Sequence, residues 1–133
     1  AAEKAGDRDL VNTLELGVFV NGRGRTREQV APGVYEKVWE MNGANLARQS
    51  EMEQAQFQRL SPPAAGRLAE IHAPTLIIEG DLDERITLKM GDAMAAGIAG
   101  ARLVTMAGVA HVPNMEKPDE FNRLVEDFLN QLS

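Results

Sequence analysis

Thr75-Leu76-Ile77-Ile78, bounded by Pro74 and Gly80, is a near-continuous apolar run with no polar alternation. A strand with one wet face alternates apolar and polar residues, whereas an unbroken short run between turn formers is the pattern of a strand covered on both faces. A second strand is predicted at Arg102-Leu103-Val104-Thr105-Met106. Between the two, residues 87–98 are rich in Ala, Met and Leu and read as a helix. Strand, helix, strand is one parallel, right-handed crossover unit, so the fold class is α/β.

The flanking segments read as helices. Pro118 suits a first helical position, Asp119 and Glu120 complement the positive end of a helix dipole, and Phe121, Leu124, Val125, Phe128, Leu129 and Leu132 recur on one face. At the other end, Asp7-Arg8-Asp9 begins a helix with Leu10, Val11, Leu14 and Val18 at helical spacing. Asn21-Gly22-Arg23-Gly24-Arg25 breaks it, and this charged loop is expected to be exposed. After Pro32, Val34, Val38, Met41 and Leu46 predict a second amphipathic helix over 34–49, and Met52, Phe57 and Leu60 extend the pattern through 50–60. Ser61-Pro62-Pro63-Ala64-Ala65-Gly66 cannot continue a helix, which divides the chain into a helical region, 1–66, and an α/β region, 67–133.

Charge and composition exclude several functions. Fourteen basic residues against 20 acidic ones give a net charge of -6, which repels phosphate backbones and anionic membranes; no nucleic-acid partner is expected. The chain has no cysteine, so it contains no disulfide, thiolate site or thiol nucleophile. It shows no apolar run near the roughly 18 residues of a membrane span and no charged-then-apolar leader, so a cytoplasmic protein is expected, although it begins Ala1-Ala2-Glu3 without methionine. No histidine pair or carboxylate cluster has metal-ligand spacing, and neither a metal nor a cofactor is expected.

In an open parallel sheet, loops leaving the carboxyl ends of neighbouring strands converge on one edge. Here those loops are Gly80-Asp81-Leu82-Asp83 and Ala107-Gly108-Val109-Ala110-His111, so an acid and a histidine can come within hydrogen-bond reach. A carboxylate that accepts from one ring nitrogen fixes the tautomer and leaves the other nitrogen to move a proton. Asp81 competes with Asp83 for that task but could equally cap the turn, which favours Asp83. His72 precedes the first strand, at the far end of the sheet, and reads as a surface residue. Glu116 and Asp119 read as serving the N-terminus of the last helix.

Ala73-Pro74-Thr75-Leu76-Ile77-Ile78-Glu79-Gly80-Asp81-Leu82-Asp83, then Gly108-Val109-Ala110-His111-Val112-Pro113-Asn114-Met115-Glu116-Lys117-Pro118, then the final helix, resemble in order and spacing the C-terminal part of the α/β-hydrolase superfamily. The resemblance covers residues 71–132. It implies that Asp83 and His111 are the catalytic acid and base, and that residues 1 to about 60 are all or part of the helical cap that many members insert before the acid-bearing strand. Phe19, Trp39, Met41 and Phe57 are candidates to line a substrate pocket there, and ordinary packing is the alternative for each.

The family's nucleophile sits on a tight G-x-S-x-G elbow. Ser50, Ser61 and Ser133 lie in a helix, a proline linker and the terminus, and none has that setting. The chain alone is therefore expected to be inactive, a C-terminal fragment of a serine-type hydrolase of an ester, lactone or carbon–carbon bond in a small-molecule substrate. Alternatives are a relative with an aspartate nucleophile, namely a dehalogenase or an epoxide hydrolase, and a non-catalytic dimerising module. Tyr35, the single tyrosine, weakens the epoxide reading because epoxide hydrolases resembling this family use two in the cap. Two strands leave an apolar edge unpaired, so the N-terminal half of the same protein, or a second copy, is expected against residues 75–79.

Overall fold

The computed structural model describes residues 7–48 and 61–132. Asp7 accepts a hydrogen bond from the Leu10 amide at 2.9 Å and so caps helix α1, Arg8–Leu16, as a carboxylate at a helix start should. A single π-helical turn, Gly17–Asn21, extends α1 before the glycine-bearing turn at Gly22. A 3-10 turn at Arg27–Gln29 carries a reciprocal cap between Thr26 and Gln29, and α2 runs Val34–Ala47. The helical extension predicted over 50–60, and Phe57 with it, lies outside the described residues.

Helices α1 and α2 pack on each other around Leu16, Val20, Val30, Val34 and Tyr35. A polar clasp supplements that apolar core: buried Asn12 donates to the Trp39 carbonyl at 3.0 Å, and Asn42 donates to Asn12 Oδ1 at 3.0 Å and to Glu15 Oε2 at 2.6 Å. The inward face of α2 runs through Tyr35, Val38, Asn42 and Leu46, which leaves Met41 half exposed although its neighbours suggested an inward position. An asparagine, Asn42, takes a place on the inward face between Val38 and Leu46.

After 3-10 turns across Ala64–Glu70, β1 (Leu76–Gly80), α3 (Arg85–Gly97) and β2 (Arg102–Met106) form the crossover unit. The strands pair in parallel, with Leu76 opposite Arg102 and Gly80 opposite Met106. A one-turn helix α4 (Pro113–Glu116) and helix α5 (Pro118–Asn130) follow, each with proline in its first turn, where the missing amide is harmless. Leu76, Ile77 and Ile78 are only half-buried, and no residue of α5 is fully buried. The sheet has two strands among the described residues, and its apolar side chains stay partly open.

The helical and α/β regions are not separate bodies. Val112 and Met115, which follow His111, pack against the apolar core between α1 and α2. No helix among the described residues is long and apolar enough to cross a membrane.

Candidate active site

Strands β1 and β2 end side by side, and their exit loops interlock. The amides of Asp81 and Leu82 donate to the Met106 and Val109 carbonyls at 3.0 Å each, and the Asp81 carboxylate accepts from the Gly108 amide at 2.6 Å. Asp81 therefore ties the two loops together rather than closing its own turn, and it is Asp83 that meets His111. Asp83 Oδ2 lies 2.7 Å from His111 Nδ1, while Asp83 Oδ1 accepts from the Glu84 amide at 2.7 Å. The acid side chain is 2% exposed and the histidine 49%.

That contrast defines what the pair can do. A buried carboxylate with both oxygens bonded is fixed in place and holds the imidazole as the Nδ1–H tautomer. Nε2 has no partner among the described residues, and the ring borders a cavity of about 310 Å³. Leu16, Phe19, Val20, Val38 and Val112 supply its apolar wall, and Glu15 and Asn42 a polar corner. The Phe19 ring stands 5.2 Å from the imidazole, tilted by 53°.

Of the pocket residues anticipated from the sequence, Phe19 is the one among the described residues that borders this cavity. Trp39 stacks on Tyr35 at 6.4 Å between ring centres and lines a separate hollow with Arg27 and Glu36. Met41 borders none of the described cavities, and Phe57 lies outside the described residues. Val38 and Asn42, which face the site from α2, carry no mark in the sequence beyond their helical phase. His72 is exposed, as anticipated.

Two expectations are corrected. The Asn21–Arg25 loop is not simply exposed: the Arg25 side chain is 10% exposed and pairs with Glu116, itself 2% exposed, through two bonds of 2.7 and 3.0 Å. Arg25 buries because its planar fork also finds the carbonyls of Val20, Asn21 and Gly108. Glu116 consequently does not serve the N-terminus of α5; its Oε1 also accepts from the Ala110 amide at 2.9 Å, next to His111. Sequence offers little to find these partners, since 91 positions separate Arg25 from Glu116.

A second buried carboxylate lies beneath the site. Glu79 on β1 accepts from the Thr105 hydroxyl at 3.2 Å, while its Oε2 has no partner among the described residues. Burial pushes its carboxyl above the ordinary value, and the nearby acids Asp92 and Asp83 add to this against the Thr105 bond. Gly91 of α3 faces Glu79 Oε2 so closely that a β-carbon there would overlap it.

No family model matches the chain. It is 35% identical over 117 residues to the 2-hydroxy-6-oxo-6-phenylhexa-2,4-dienoate hydrolase of Comamonas testosteroni, covering 87% of this chain and 40% of that protein. It is 38% identical over 85 residues to a 2-hydroxy-6-oxononadienedioate/2-hydroxy-6-oxononatrienedioate hydrolase of Klebsiella pneumoniae, covering 64% of this chain and 28% of that protein. Among solved structures, Est816, described as an N-acyl homoserine lactone degrading enzyme, superposes with a TM-score of 0.69 at 22% identity over 96% of this chain and 49% of that one. The chain thus spans less than half the length of each of these proteins. With its parallel crossover unit, its helical layer and these matches to the C-terminal part of known hydrolases, the chain belongs to the α/β-hydrolase superfamily.

Proposed function

We propose that the chain supplies the acid and the base of a serine-type α/β-hydrolase, with Asp83 orienting His111, and that the nucleophile comes from the remainder of the protein. The observation that carries this reading is the 2.7 Å bond from a buried carboxylate to Nδ1 of a half-exposed histidine beside an apolar cavity. In such an arrangement Nε2 takes the proton from the attacking hydroxyl and returns it to the leaving group, while the carboxylate stabilises the imidazolium between the two steps. Burial of Asp83 strengthens that stabilisation, because little water screens it.

The substrate is proposed to be a small molecule with an ester, lactone or carbon–carbon bond next to a carbonyl. Two relatives named as hydrolases of 2-hydroxy-6-oxo acids support this. The open apolar sheet supports a further part of the same protein against residues 75–79, where the missing strands would bring the nucleophile elbow to the edge that holds His111.

The test uses the intact protein and a panel of activated esters and lactones. His111→Ala is expected to lower kcat by at least about 10³-fold without unfolding the protein, because a base acting as a unit with its nucleophile cannot be replaced by water. Undiminished turnover in that variant, or an intact sequence without a nucleophile elbow, sinks the proposal.

A further inference from the structure

The cap segment Phe19–Arg25 touches both loops of the pair, and it does so almost entirely with groups of fixed geometry. Arg23 addresses three consecutive carbonyls of the acid loop: Nη2 donates to Asp81 at 2.6 Å, the backbone amide to Leu82 at 2.7 Å and Nε to Asp83 at 2.9 Å. Arg25 addresses the other loop. Its Nη1 donates to the Gly108 carbonyl at 2.9 Å, and its partner Glu116 holds the Ala110 amide. The His111 amide itself donates to the Phe19 carbonyl at 3.0 Å.

One seven-residue segment thus spans the gap between the two strand ends and bonds to residues on either side of it. A guanidinium is planar, always charged and donates in a fixed fork, so carbonyls held by it have little freedom to rotate. We propose that Arg23 and Arg25 are positioning residues: Arg23 sets the place of Asp83 and Arg25, through Glu116, that of His111. This rests on the proposed acid–base role of the pair. It has a functional content beyond stability. The distance from Asp83 to His111 is set by the cap, so any shift of the cap on substrate entry is transmitted to the base.

The two arginines differ in a way that makes the proposal testable. Arg25 is buried against a carboxylate, and its loss would leave Glu116 without a counter-charge; Arg23 is exposed and, among the described residues, has carbonyl partners only. Arg23→Ala therefore removes the brace on the acid loop without stranding a charge, and Arg25→Lys keeps the charge while losing the fork. Both are made in the intact protein, with Arg23→Lys as the conservative partner. Two readouts are taken: the far-downfield proton NMR line of the Nδ1–H to Oδ2 bond, which needs no turnover, and kcat with KM on an activated ester.

Arg23→Ala and Arg25→Lys are expected to broaden or abolish the line and to lower kcat about tenfold or more, with KM within about twofold. Arg23→Lys is expected to recover part of both. Retention of the line and of kcat in the two folded variants would overturn the proposal. So would a loss of kcat with an unchanged line, or a wild type that shows no such line. If the wild type hydrolyses nothing, the catalytic reading falls, and the line alone still decides whether the arginines hold the pair.

Discussion

The contact of the Phe19–Arg25 segment with both loops can be probed at a single atom. Gly22 has φ +71°, and a β-carbon built on it would lie 2.5 Å from the Leu82 carbonyl oxygen and 2.7 Å from the Ala110 β-carbon. One neighbour belongs to the acid loop and the other to the histidine loop. Gly24, two residues on, has φ +78° and nothing within 4 Å. The two positions share a left-handed backbone and differ in surroundings, so Gly24→Ala serves as the control. It should cost about 1 kcal/mol from backbone strain alone. Gly22→Ala adds steric overlap: reaching the 3.0 Å that such contacts respect requires movement of about half an ångström against backbone. Overpacking of that kind costs about 1–3 kcal/mol, which gives about 2–4 kcal/mol in all. Equilibrium urea unfolding of the intact protein would report the two variants, and their difference isolates the packing term. If the loops part to relieve the overlap, the 2.7 Å bond from Asp83 to His111 stretches towards the limit of a hydrogen bond, and kcat should fall roughly tenfold. A Gly22→Ala protein as stable and as active as Gly24→Ala would refute the close contact of this segment with the two loops.

Two further outcomes follow from buried or bordering carboxylates. Burial raises the Glu79 carboxyl above its ordinary 4.5, so the folded state holds its proton to higher pH than the unfolded state does. The contribution of Glu79 is least unfavourable below pH 4.5, and stability is lost as pH rises from there through the raised value; Glu79→Gln should therefore gain on the wild type between pH 4.5 and 7 in urea midpoints, and a pH-independent difference would count against this. Glu15 brings a carboxylate to the cavity beside His111. At a separation of about 6 Å in water it disfavours an anionic substrate by about 0.7 kcal/mol, so Glu15→Gln should raise kcat/KM for an anionic ester over its neutral counterpart about threefold; an unchanged ratio would remove Glu15 from the selectivity.

The parts of the molecule legible in the sequence are those whose signal is local. An apolar run between proline and glycine placed β1 to within two residues, the short apolar stretch at 102–106 gave β2 its bounds, and Pro118 with its following acids placed the start of α5. The partnership of Asp83 with His111 was legible because the crossover topology forces both loops to one edge. The choice of Asp83 over Asp81 came from the resemblance in spacing rather than from local pattern, since the two acids differ only in the direction their loop gives them. Arg25 shows the wider limit: beside two glycines an arginine reads as a solvated turn, and nothing local reveals a carboxylate 91 positions away that buries it. Trp39 shows the converse, because a large aromatic ring suggests a binding wall, while Tyr35 one helical turn earlier had already claimed its face.

Glu79 and Gly91 carry a consequence for descent. The helix residue has no side chain where the strand residue has a long one, and the two share a single volume. A lineage that gains even a methyl group at position 91 must shorten or redirect the side chain at 79, and a lineage that shortens residue 79 leaves a hollow that a larger residue at 91 can fill. The two positions should thus mutate in concert, with a residue larger than glycine at 91 accompanied by a shorter or turned-away side chain at 79.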